Sequence, residues 1–64
     1  MILENDIKLE IKKMLPVYHK CSGENKARVQ GFIKGLLFVL NEPLDVGMYE
    51  QRLEEEQNDK SNSN

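Results

Sequence analysis

The chain has 64 residues, 39% of them hydrophobic and 31% charged, with no Trp, one Cys, one His and a formal net charge of −2. A single domain of this size buries a small fraction of its surface and is marginal as a monomer. One cysteine excludes an internal disulfide, and His19 with Cys21 cannot fill a four-ligand zinc site, so the remaining stabilising device is oligomerisation or a core of unusual quality.

Charge is laid out unevenly: residues 1–41 sum to +3 and residues 42–64 to −5, a mildly basic body with an acidic tail. The first residues, Met1 to Asp6, are acidic where a signal peptide would be basic. The most apolar run, Phe32 to Leu40, is nine residues long and contains Lys34. A membrane span needs about 20 apolar residues. The expectation is a cytoplasmic protein with no membrane partner.

Helix 1 is expected to start near Leu3 or Glu4. Leu3, Ile7, Ile11, Met14 and Tyr18 fall on one stripe, with Leu15 beside them. Glu4 and Asp6 lie in the first turn and Lys20 near the end, as the helix dipole favours. Leu9 points away from the stripe. Its plainest account is a singly exposed Leu, and its sharper one a second contact surface. Pro16 removes a backbone donor and restrains Leu15. It leaves two outcomes open: a helix that kinks and runs on to Lys20, or one that stops near Met14. The stripe stays in phase to Tyr18, which favours the first.

Cys21-Ser22-Gly23 breaks the chain, and Ser22 is suited to cap the next helix. Helix 2 is expected from Gly23 to Leu40. Its main stripe is Val29, Phe32, Ile33, Leu36 and Leu40, flanked by Leu37 and Val39; the opposite side holds Ala27, Gly31 and Phe38, with Gly35 nearby. The two internal glycines each cost about 1 kcal/mol relative to Ala. The Ala27, Gly31, Gly35 spacing is the one that lets two helices cross closely. The plainer account is that the glycines make room for Phe38 or for a bulky residue of helix 1.

Asn41-Glu42-Pro43 ends helix 2. Asp45 is placed to cap a short helix 3 from Val46 to about Glu56, with Val46, Tyr49 and Leu53 on one side and Met48 extending it. Glu54, Glu55 and Glu56 oppose the dipole at its end. Residues 57–64 contain no apolar side chain and are expected to be a disordered tail, leaving residues 1–56 as the folded domain.

Chemistry is sparse. His19 and Cys21 would point in different directions from a helix end, so they do not form a nucleophile–base pair. No pocket that separates carboxylate pKa values is expected in so short a chain. These features argue against an enzyme, a cofactor or a metal. Lys8, Lys12, Lys26, Arg28 and Lys34 are spread over two helices with no interleaved aromatic residue, which argues against nucleic acid and for a solvated face.

The stretch Leu15–Leu40 resembles a helical hairpin recurrent in small regulators of Firmicutes bacteria and of their phages and mobile elements. Leu15 and Tyr18, then Ser22, Glu24, Asn25 and Lys26, then Val29, Gly31-Phe32-Ile33 and Gly35-Leu36 carry the likeness. In that setting the hairpin often follows a helix-turn-helix domain and looks like a dimerisation or packing element. No DNA-reading domain precedes it in this sequence, which turns the expectation towards self-association or capture of a partner protein.

The expected fold is therefore all-α: an antiparallel helical hairpin with a short third helix, dimerising into a four-helix bundle. Ala27, Gly31, Gly35, Phe32 and Leu36 are the candidate self-association residues. Phe38, Leu9, Tyr49 and Met48 are the candidate contacts to another protein. The expected function is a small non-enzymatic phage or mobile-element accessory protein that inhibits or modulates a host or regulatory protein. A minimal dimeric DNA-binding regulator is the alternative.

Overall fold

Three helices follow one another in the computed structural model, which describes residues 3–62, with side chains described for residues 3–56. The first, α1, spans Glu4–Lys20. The Leu3 carbonyl starts it, accepting from Asp6 N–H at 3.0 Å and Ile7 N–H at 3.2 Å. The helix passes through Pro16 without ending. Pro16 cannot donate to the Lys12 carbonyl, but both residues are exposed, so water can satisfy that oxygen. Of the two outcomes open at Pro16, the continuous helix is the one adopted. Its buried line is Ile7, Ile11 and Leu15, with Met14 and Tyr18 partly covered. Leu3, expected on the stripe, is 58% exposed.

The reversal after α1 rests on Gly23, whose φ is +60°. A side chain there would crowd its own backbone, so only glycine turns this corner at low cost. Ser22 occupies the N-cap position of α2, Gly23–Val39, yet its side chain makes no cap hydrogen bond. Its carbonyl accepts from Lys26 N–H at 3.5 Å instead. Lys26 Nζ lies 4.8 Å from the centre of the Tyr18 ring, joining the two helices near the turn.

The buried line of α2 is Ile33 and Leu37, both fully inaccessible, with Val29, Leu36 and Leu40 packed beside them. This corrects the sequence expectation by a small rotation: Leu37 is central, and Phe32 is 49% exposed. The helix ends in a Schellman arrangement. Glu42 N–H reaches the Leu37 carbonyl at 2.9 Å and Asn41 N–H the Phe38 carbonyl at 3.0 Å. Asn41 takes the left-handed position at φ 61°, and Pro43 follows.

Asp45 caps α3, Val46–Asn62, accepting from Met48 N–H at 3.0 Å. The helix is described beyond the end near Glu56 that the acidic run suggests. The side chains of residues 57–62, and residues 63–64 altogether, lie outside the described residues, and the expected tail over 57–64 falls there. Val46 and Tyr49 are buried and Leu53 partly so. They complete one core with Ile7, Ile11, Leu15, Ile33 and Leu37. Burying a side chain such as Ile11, Ile33 or Leu37 is worth roughly 1.5–3 kcal/mol. Two side-chain contacts fasten α3 from outside: the ion pair of Arg52 with Glu42, and a hydrogen bond from His19 Nε2–H to Glu50 Oε2 at 2.7 Å.

Candidate interaction surface

Helical periodicity sets the geometry of α2. With Ile33 and Leu37 turned to the core, Ala27, Gly31, Gly35 and Phe38 lie roughly 100–180° around the helix from them. All four are exposed, and Phe38 is 73% accessible. A Cβ built on Gly31 or Gly35 meets nothing within 4 Å. The glycines therefore accommodate neither Phe38 nor α1 within this chain. They form a flat floor beside a projecting phenyl ring.

Next to this floor, towards α1, stand Phe32 and Val39, the latter 64% exposed. Leu36 is half-buried and packs against the core, so of the expected self-association residues it contributes most to folding. Val39 lines a groove with Asp6, Ile7, Glu10 and Leu36. No binding role was expected of Asp6, Glu10 or Val39. Their signal was present in the i,i+4 spacing of the two acids beside the apolar stripe.

The expected contacts to another protein do not form one patch. Leu9 is 52% exposed on the side of α1 away from the core, and Met48 is 50% exposed on α3. Both stand off the α2 face that bears Phe38. Tyr49 is corrected outright: only 7% of it is accessible, because α3 turns it inward with Val46. It borders a small cleft shared with Lys8, Lys12, Glu42, Arg52, Leu53 and Glu56. Burial pushes the phenol pKa up, Glu42 and Glu56 add to the rise, and Arg52 opposes it.

The chemistry-bearing residues are separated. His19 is engaged by Glu50, across from Cys21 rather than with it, and Cys21 is half-buried with a free thiol. Among the described residues no three of His, Cys, Asp or Glu gather as a metal site would require. None of the described helices is long and apolar enough to cross a membrane. Several cations are already occupied: Arg28 by Glu24 at 2.8 Å, Arg52 by Glu42, and Lys26 by the Tyr18 ring. Comparison with protein-family models, with curated proteins and with solved structures finds no match to this chain.

Proposed function

We propose that this chain is a small protein-binding regulator that pairs with a second copy through the outer face of α2. The observation that carries the reading is Phe38, 73% exposed beside the open backbone of Gly31 and Gly35. A large aromatic ring next to a flat strip is self-complementary when two such helices run antiparallel, each ring lying on the other's floor. The likeness of Leu15–Leu40 to dimerisation hairpins of phage and mobile-element regulators is a second support. On it rests the reading that the partner is a host or regulatory protein in the cytoplasm, inhibited or retuned by contact. The engagement of Arg28, Arg52 and Lys26 within the chain favours protein over nucleic acid as that partner.

Analytical sedimentation at micromolar concentration tests the pairing. A dimer mass is expected for the native chain, with a thermal midpoint that rises with concentration. Gly31→Leu should sediment as a folded monomer. A native chain that sediments as a monomer and unfolds cooperatively overturns the pairing.

A further inference from the structure

The α1–α2 hairpin has two sides, and α3 covers one. On the covered side Lys8 and Lys12 of α1 face Tyr49, Arg52, Leu53 and Glu56 of α3 across a shared cleft. On the other side none of the described α3 side chains lines the groove formed by Asp6, Ile7, Glu10, Leu36 and Val39. The groove holds about 290 Å³, and its floor is hydrocarbon. Exposed apolar side chains recur along both helices: Val17, two turns beyond Glu10 with Lys13 between them, is 42% exposed, and Phe32, two turns before Val39, is 49% exposed.

The rim is acidic. Asp6 and Glu10 lie one helical turn apart, where like charges repel. Neither makes an ion pair among the described residues. Two unpaired carboxylates beside an apolar trough form the complement of an amphipathic segment whose apolar residues are flanked by Lys or Arg.

We infer that this groove docks an amphipathic basic helix of a partner protein, with apolar side chains on Ile7, Leu36 and Val39 and cationic ones against Asp6 and Glu10. The inference names the chemistry of the partner, and rests on the proposed function only in that the chain acts by binding protein. A second copy is a poor occupant. A two-fold axis through the groove would bring Asp6 and Glu10 of both copies into one interface, and such like-charge juxtaposition is repulsive. An anionic lipid surface is repelled by the same rim. The outer face of α2, with Gly31 and Phe38, remains free for self-pairing.

The test uses the whole chain and two labelled probes, a Leu/Lys amphipathic helical peptide and a Leu/Glu peptide with the same apolar positions. Fluorescence anisotropy at physiological ionic strength reads the affinities. The native chain should bind the Leu/Lys peptide about tenfold or more tightly than the Leu/Glu peptide. Asp6→Lys combined with Glu10→Lys should reverse that preference. Glu54→Lys combined with Glu55→Lys makes the same change in net charge on α3 and should preserve it. Val39→Asn, which places an amide on the floor, should weaken binding about tenfold. All these positions are exposed, and circular dichroism checks that each variant is folded. Equal binding of the two peptides by the native chain overturns the inference. So does a control pair that abolishes the preference as fully as the groove pair, or Val39→Asn binding like the native chain. Sedimentation of the same samples reads self-pairing separately, so either result can fail while the other stands.

Discussion

Leu37 and Phe38 are neighbours in the chain and opposites in burial: Leu37 is completely inaccessible and Phe38 is 73% exposed. One step of about 100° along α2 separates a core side chain from one in solvent. Leu37→Ala should therefore destabilise the fold by about 2–5 kcal/mol, the range for a buried leucine that leaves a cavity. Phe38→Ala should change the stability of the dilute chain by no more than about 0.5 kcal/mol. Urea unfolding at low protein concentration checks both. A large loss for Phe38→Ala under those conditions would mean that the ring packs within its own chain.

The two left-handed residues should respond in opposite directions. Gly23 sits at φ +60°, and Gly23→Ala should lose about 1–2 kcal/mol to strain against its own backbone, although no more distant group lies within 4 Å of the new methyl. Asn41 sits at φ 61° in the Schellman motif, and Asn41→Gly should gain a few tenths up to about 1 kcal/mol. Thermal midpoints of the two variants against the native chain decide the matter. A stabilised Gly23→Ala would contradict the geometry of the turn.

Gly31 and Gly35 should behave differently from Gly23, because their backbone is ordinary helix and the space around them is open. Gly31→Ala and Gly35→Ala should each raise helix stability by up to about 1 kcal/mol. The native and variant chains are compared by urea unfolding below the association range. If either alanine variant is less stable there, a contact within the chain must depend on the missing side chain.

Tyr49 should make the fold sensitive to alkali. Its pKa is raised above the ordinary 10.0 by burial first, then by Glu42 and Glu56, with Arg52 opposing. The native state thus holds the phenol proton at pH values where the unfolded chain has released it. That contribution is complete below about pH 10 and is lost as the pH rises from there through the folded pKa. Tyr49→Phe has no proton to lose at this position. The stability difference between native and variant should be constant from pH 7 to 9 and move against the native chain above pH 10. Unfolding curves of both proteins across that range provide the check, and a difference that stays flat would show the hydroxyl to be solvated.

Much of this architecture is written locally. The stripe of Ile7, Ile11 and Leu15 reads directly from helical spacing. The Asp45 cap reads from its place before Val46, and the end of α2 from Asn41 and Pro43. The open surface of Ala27, Gly31, Gly35 and Phe38 was likewise visible as a second side of helix 2. The burial of Tyr49 was only half visible: it shares one side of helix 3 with Val46 and Leu53, but so weakly apolar a helix gives little indication of how deeply that side packs. The acid-rimmed groove was also hidden, since its five lining residues come from two helices about thirty residues apart in sequence.

By itself the sequence determined the three helices, the reversal between the first two and the all-helical class. Those depend on residues within a turn or two of each other: period, caps and glycine at a left-handed position. The tertiary structure decided which side of α2 would be inside. That helix is apolar around more than half its circumference, so periodicity admits several orientations. The choice fell on Ile33 and Leu37 because there α2 meets Ile11 and Leu15 of α1 and the core is closed by Val46 and Tyr49 of α3. Contacts between distant residues set that rotation, and with it they set which apolar side chains are left for a partner.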